Sequence, residues 1–391
     1  MERPKSRRRE LVLPSPQVRL TSRHATDMSL PTAPEQISAQ WLTCAFVFKY
    51  PDVEVTEATI TEVILGTSTK IRVAVTYNKA GVAAKLPASL IVKGGFDESN
   101  EVMGNLYLVE TRSYRDAAPM IDLNLPACYY AGRDPATNHT VLVLEDMSLR
   151  NVRFLDAYAT QTFEQCRRRL DAMAKYHAQT WDSLEFLPGG RLDWVPVRYD
   201  TGLKSKFDSV HSIQVAMNRH WLTPDVWQSF MELPRGAATP KPLRDLEWMR
   251  HALTQMAIAH EAEDTCLLHG DTHLGNLYEE SDGTPGFYDI QAARGPWSME
   301  VSYHLVGALE VADRRRWEQP LLAYYLERLA TYGVDAPGFD VAWRAYCRDI
   351  VHGLFIWLIN ENHWQPEAIN TANAARFGMA AIDCGTKELL S

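Results

Sequence analysis

The stretch from Leu267 to Gln291 constrains the fold of this chain more than any other. It opens on the apolar pair Leu267-Leu268, passes through His269-Gly270-Asp271-Thr272-His273-Leu274-Gly275-Asn276, and closes on Phe287-Tyr288-Asp289-Ile290-Gln291. Leu277-Tyr278-Glu279-Glu280 and Gly286-Phe287-Tyr288 flank Ser281-Asp282-Gly283-Thr284, and an Asp-Gly pair between strand-forming runs is a strong local signal for a hairpin. Such a hairpin swings Asp289 back beside Asn276, so that two oxygen-bearing side chains converge on one spot.

These residue types at these spacings fit phosphoryl transfer. Asp271 stands five residues before Asn276, and His269 two before Asp271. That is the spacing of a catalytic loop in which Asp accepts a hydroxyl proton and Asn holds magnesium. Asp289 follows thirteen residues after Asn276. Asp271 is therefore the expected catalytic base, and Asn276 and Asp289 are the expected ligands of Mg2+. A cation against the phosphates is also needed. Lys93 ends the apolar strand Leu90-Ile91-Val92, where an ammonium without a partner would be costly to bury, and Glu110, 17 residues on, is the expected partner. A phosphate cradle is expected at Gly66-Thr67-Ser68-Thr69-Lys70, through backbone N–H groups and the Thr67 and Ser68 hydroxyls, with an ordinary hairpin as the competing reading.

The same loop admits a second chemistry, because His269-x-Asp271-x-His273 resembles a hydrolase metal cluster. No further His or carboxylate stands at a spacing that completes such a site, and Asn276 and Asp289 would then have no purpose. His269 is expected to brace the loop by hydrogen bonding. His177, on a helix face with Phe163, Leu170 and Met173, is expected to be a packed and satisfied histidine. Trp181, Trp194, Trp221, Trp227 and Trp248 are expected mainly in the core, with some available to line an acceptor site.

The chain has 391 residues, of which 46% are apolar, enough for two or three core-bearing units. Residues 1–27 carry seven Lys or Arg against three acids on a Pro-dotted stretch without periodicity, and read as part of a disordered basic tail over 1–32. Met28 is an alternative start. The rest holds 33 bases against 46 acids, which disfavours nucleic-acid binding outside the tail, where Lys5-Ser6-Arg7-Arg8-Arg9 is the one candidate signal. No apolar run approaches the roughly 18 residues needed to span a bilayer. Six scattered cysteines, with no C-x-x-C pair and no secretory leader, read as reduced thiols of a cytoplasmic protein.

After the tail, an amphipathic helix is expected over Ala33 to Phe48 and strands over Val53 to Leu65, Ile71 to Tyr77 and Ser89 to Lys93, the last two joined by a turn at Asn78 to Gly81. A helix follows from Asn100 to Ala118 with Met103, Leu106, Glu110 and Ala117 on one face, and then a strand at Val141 to Leu144. Beyond residue 150 the pattern turns to long helices: Phe163 to Trp181, Arg244 to Glu263, Arg316 to Tyr332, Val341 to Asn360 and Pro366 to Cys384. The expected architecture is α+β, a small β-rich lobe over 33–147 and a larger helical lobe over 148–391, with a ligand cleft between them.

The run His269-Gly270-Asp271-x-His273-x-Gly275-Asn276, with Tyr288-Asp289-Ile290-Gln291, resembles the aminoglycoside-phosphotransferase and choline-kinase-like superfamily, in particular its ecdysteroid-kinase-like branch, in which the second motif reads Asp-x-Gln. Gly295-Pro296, Val301 to Leu305, Asp313-Arg314-Arg315 and Leu321 to Tyr325 extend the resemblance, which covers roughly residues 35–385. It implies a bilobal, protein-kinase-like fold that binds ATP and Mg2+. It further implies Asp271 as base, Asn276 and Asp289 as magnesium ligands, Lys93 and Glu110 as the phosphate-binding pair, and Leu144 to Met147, with Glu145 and Met147, as the adenine-binding segment. Two positions differ from the family pattern: the loop Gly66 to Lys70 is short of glycine, and Glu300 stands where the family has an Asp before the next helix, a change expected to bear on loop bracing rather than chemistry.

The expected function is ATP-dependent transfer of a phosphoryl group to a hydroxyl of a small molecule, with no nucleic-acid partner and no membrane span. The stretch Thr180 to Arg250 carries nine acids and nine bases, which makes no trap for a polycation, and its five Trp with Phe186, Phe207 and Phe230 suit a lipophilic alcohol of steroid, terpenoid, aromatic or hydroxyacyl type. The alternatives are an aminoglycoside- or choline-type kinase, a nucleotide- or metabolite-binding pseudokinase, and the metallohydrolase.

Overall fold

Ile71, Val73 and Val75 alternate with Lys70, Arg72 and Ala74, and a strand with that period buries one row of side chains and offers the other to a second surface. The computed structural model describes residues 29–64, 68–96, 100–199 and 220–391, and for 100–105 the backbone alone. The tail to residue 28, Gly66 and Thr67 of the expected cradle, the Met103 side chain and residues 200–219 of the acceptor stretch lie outside the described residues.

β1 (Val55–Ile64), β2 (Thr69–Tyr77), β3 (Ser89–Gly94), β4 (Cys128–Arg133) and β5 (Thr140–Glu145) form one sheet in the order β1-β2-β3-β5-β4, antiparallel throughout. Ile71, Val73, Val75, Leu90, Val92, Val141 and Val143 pack from one face against Trp41, Leu42 and Phe46 of α1 (Ala39–Phe46). From the opposite face Leu142 and Leu144 join the core of the large lobe. The two cores thus share one sheet, and the cleft runs along its second face.

The small lobe differs from the sequence reading in three places. Residues 29–32, assigned to the tail, lie against this lobe: Leu30 packs on its core, and the carbonyl of Pro31 lies 2.8 Å from His139 Nε2. Asn78 makes no tight turn but caps a one-turn helix, Lys79–Ala83, its Oδ1 accepting from Gly81 N at 3.1 Å. Leu106 is 40% exposed, whereas Tyr107, Glu110, Thr111 and Tyr114 are buried. The buried stripe of α2 (Asn100–Arg112) therefore runs through Tyr107 rather than Leu106, while Glu110 is buried as expected, and a π turn at Ser113–Ala117 carries the chain on to Ala117, also buried.

The large lobe is built on α3 (Phe163–Gln179), α4 (Leu246–His260), α5 (Trp297–Ala308), α6 (Val311–Thr331), α7 (Phe339–Ile359) and α8 (Glu367–Asp383). Every residue of α5 is buried, so this central helix carries no amphipathic pattern. Trp194, Trp227 and Trp248 belong to the core, while Trp181 and Trp221 pack on it half-buried. Two short ladders carry the motif: β7 (Cys266–Leu268) pairs with β10 (Ala293–Gly295), and β8 (Leu277–Glu280) with β9 (Pro285–Phe287) and β6 (Val152–Phe154). The fold is bilobal and α+β.

Candidate active site

The β8–β9 hairpin closes as the Asp-Gly signal requires, with Gly283 at φ +83° and Leu277 opposite Phe287. Tyr288 N then donates to Asn276 O at 3.0 Å, and Gln291 N to His269 O at 2.9 Å, which draws Asp289 over the loop 269–276. Gly270 has φ +85°, and a Cβ there would run into the carbonyl of Gln291; only glycine allows the two segments this approach. Asp289 itself is in the left-handed region at φ +55°, a conformation Asp tolerates better than most residues and one concentrated at functional sites.

Lys93 enters from the sheet. Its Nζ lies 2.7 Å from Glu110 Oε1 and 2.7 Å from Asp289 Oδ1, joining the small lobe, α2 and the hairpin in one charge cluster. Lys93 and Glu110 are buried, while the Asp289 side chain remains 31% exposed toward the cleft. Burial opposes the charge of both Lys93 and Asp289, but each holds the other ionised: Lys93 stays protonated well above the ordinary lysine range, and Asp289 is held down to about 2.

Asp271 sits on the other side of Asn276. Its Oδ2 accepts from Asn276 Nδ2 at 2.9 Å, and its Oδ1 accepts from Tyr303 Oη at 3.1 Å. Asn276 donates with its nitrogen, which leaves Oδ1 as the atom able to face a cation. With the Asp289 carboxylate it makes a pair of hard oxygen donors, the type that suits Mg2+ rather than a soft metal. The histidines brace the loop itself: His269 Nε2 lies 3.0 Å from Tyr288 O and its Nδ1 accepts from Asp271 N at 3.3 Å, while His273 Nδ1 accepts from Gly275 N at 3.0 Å and its Nε2 lies 3.7 Å from Asp271 Oδ2.

α5 holds the loop at three points. The Glu300 carboxylate accepts from His269 N at 3.2 Å and Gly270 N at 2.7 Å, and also from Tyr176 Oη and from His177 Nε2 at 2.9 Å. Burial would raise this carboxyl, yet the hydrogen bond and charge of His177 hold it below the ordinary range. Tyr303 holds Asp271, and His304 Nδ1 donates to Thr272 O at 3.0 Å. Glu300 therefore lies inside the helix rather than ahead of it. His177 is satisfied on both nitrogens, with Tyr325 Oη 2.7 Å from Nδ1.

At the lobe junction Asp146 is the organising residue: its carboxylate accepts from Arg72 Nε at 2.9 Å, Ser89 Oγ at 2.6 Å and Ser148 Oγ at 2.7 Å. Glu145 commits its side chain to Ala127 N at 3.1 Å and Arg150 Nη1 at 3.3 Å and its N–H to Ala127 O at 2.8 Å, so only its backbone carbonyl can serve a base in the cleft, and Met147 is buried beside it. Ser68 is buried at the start of β2. Lys93, Glu110, Asp271, Asn276 and Asp289 come together; Gly66 and Thr67 lie outside the described residues. Tyr303 escaped the sequence reading, because it meets Asp271 across 32 residues, and so did the reach of Asp146 to Arg72 and Ser89, 74 and 57 residues away, although its bond to Ser148 is local.

A two-lobed fold with a cleft cation held by two carboxylates, facing an Asp–Asn loop, defines a small-molecule kinase class of site. The chain belongs to the ecdysteroid kinase-like family, whose sequence model matches residues 67–334. A search of curated proteins found no match. Among solved structures it is similar to an aminoglycoside phosphotransferase-type protein of Ralstonia eutropha JMP134 (11% identity, 89% of this chain and 97% of that one, TM-score 0.49). It is also similar to a macrolide 2'-phosphotransferase of Brachybacterium faecium (14%, 84% and 94%, TM-score 0.43) and a choline kinase of Streptococcus pneumoniae (12%, 82% and 94%, TM-score 0.41). Among the described residues no helix is long and apolar enough to cross a membrane.

Proposed function

We propose that this protein transfers the γ-phosphate of ATP to a hydroxyl of a small lipophilic alcohol, of steroid, terpenoid, aromatic or hydroxyacyl type. The observation that carries this reading is the position of Lys93, 2.7 Å from both Glu110 and Asp289 in the cleft that also presents Asp271 and Asn276. In this reading Lys93, aligned by Glu110, binds the phosphates, and the backbone of Glu145 and Met147 receives the adenine. Asn276 Oδ1 and the Asp289 carboxylate would hold Mg2+, which when bound neutralises phosphate charge. Asp271, steadied by Tyr303 and Asn276, orients the acceptor hydroxyl and takes its proton as the new O–P bond forms and the bond from the γ-phosphorus to the bridging oxygen breaks, releasing ADP. The acceptor class rests on the balanced charge of Thr180 to Arg250, which makes no trap for a polycation; the described aromatic side chains of that stretch pack in or on the core of the large lobe.

The test is ATP consumption over a panel of aminoglycosides, choline and lipophilic alcohols. Lipophilic alcohols should be turned over preferentially, and Asp271→Ala and Asp289→Ala should each abolish transfer, only the latter weakening magnesium-nucleotide binding. Preferred turnover of an aminoglycoside or choline would refute the acceptor class. Near-wild-type turnover by Asp271→Ala would refute the base.

A further inference from the structure

In the β2–β3 ladder Lys70 is directly opposite Lys93, and directly opposed residues of an antiparallel pair project from the same face of the sheet. That face is the cleft face, because Lys93 reaches Glu110 and Asp289 from it. Three bases therefore line this part of the cleft: Lys70, Arg72 and Lys93. Arg72 is spent on Asp146 and Glu62, and Lys93 on Glu110 and Asp289. Lys70 is half-buried, and among the described residues no carboxylate lies within ion-pair distance of it. It is still near enough to act electrostatically on both Glu110 and Asp289. A partly desolvated ammonium in that position favours an incoming anion.

We propose that Lys70 is a second phosphate-binding cation, which grips the polyphosphate of the nucleotide from β2 while Lys93 grips it from β3. The inference rests on the nucleotide reading above and adds a residue to it. Lys93 arrives already neutralised by two carboxylates, so the uncompensated positive charge offered to a polyphosphate comes from Lys70. Its contribution should grow with the number of phosphates and vanish for the nucleoside.

The test is direct binding by calorimetry of ATP, ADP and adenosine, each with magnesium, to the full-length wild type, Lys70→Ala and Lys70→Arg. Lys70→Ala should bind ATP about tenfold or more weakly, ADP less weakly, and adenosine as the wild type does, with Lys70→Arg recovering most of the loss. Its thermal midpoint should stay near that of the wild type. Unchanged ATP affinity in Lys70→Ala, or an equal loss for adenosine, would overturn the proposal and leave the kinase reading standing. A wild type that binds neither ATP nor ADP would sink both.

Discussion

Replacing Glu300 by Gln is the sharpest test of how the catalytic loop is held. The buried carboxylate takes four donors, from the amides of His269 and Gly270, Tyr176 Oη and His177 Nε2. Glutamine keeps the volume but offers one acceptor oxygen and turns an NH2 toward groups that themselves donate. With the oxygen kept at the Oε2 position, where three of the donors converge, the Gly270 amide loses its acceptor in the core, and the expected loss is about 1–3 kcal/mol. At an unfolding entropy of about 2.1 cal/mol/K per residue, a chain of 391 residues shifts its midpoint by roughly 1 °C per kcal/mol, so the thermal midpoint should fall by roughly 1–4 °C. Because Asp271 follows Gly270 directly, a shift of about 1 Å in the loop would lower turnover on the order of a hundredfold, mainly in kcat. The stabilisation has a pH signature. Glu300 has a lowered folded pKa, so its contribution is present above the unfolded carboxyl value of about 4.3 and is lost as pH falls through the lower folded value, and the gap between wild type and variant should close on acidification. Differential scanning calorimetry at several pH values reads both. A Glu300→Gln protein within a degree of wild type at neutral pH, with unchanged kcat, would refute the account of the brace.

Lys93→Ala should weaken nucleotide binding and turnover strongly and Glu110→Ala mildly, since Asp289 still engages Lys93 in the latter; the double variant should be clearly sub-additive, and additive losses in a binding titration would show that the two act independently. His304 is buried with Nδ1 on Thr272 O and Nε2 accepting from Arg169 Nε at 3.1 Å, and burial followed by the Arg169 charge holds it down to about 3. Its unfolded form gains a proton near pH 6.5 and the folded form does not, so stability should fall by up to about 1.4 kcal/mol per pH unit from this group below pH 6.5, a slope that denaturant melts of His304→Asn should lack. Deleting residues 1–28 should leave the thermal midpoint unchanged, whereas deleting 1–33 should lower it by removing Leu30 and Pro31 from the small lobe; equal midpoints for the two deletions would contradict that docking.

Among the strands of the small lobe β2 was readable because buried and cleft-facing side chains alternate along it, a local property of period two, and β5 because Val141 to Leu144 is an unbroken apolar run, buried on both faces. The hairpin that returns Asp289 to Asn276 was readable because Asp282-Gly283 carries its own turn preference. β4 was not: Cys128-Tyr129-Tyr130-Ala131-Gly132-Arg133 is an edge strand, half-buried for most of its length, with no alternation to betray it. In α2 only Leu106 was misplaced: it is a core residue by type and stands at helical spacing from Glu110, yet it is 40% exposed while Tyr107 beside it is buried.

α5 shows why the support of the site was harder to see than the site. A helix buried on all sides has no polar face to contrast with an apolar one, so its period is invisible in composition. Yet Glu300, Tyr303 and His304 stand at i, i+3 and i+4, one face of the helix, and that face is turned to the loop 269–272. Polar side chains in such a position are costly unless every one is paired, and each here is paired to a loop group two or fewer residues from Asp271. Apolar residues in their place would spare the desolvation but leave the loop amides and carbonyl without partners. The three polar residues therefore act as a fixed bracket: their pairing converts a loop of left-handed and turn conformations, flexible by itself, into one that presents the Asp271 carboxylate in a single orientation.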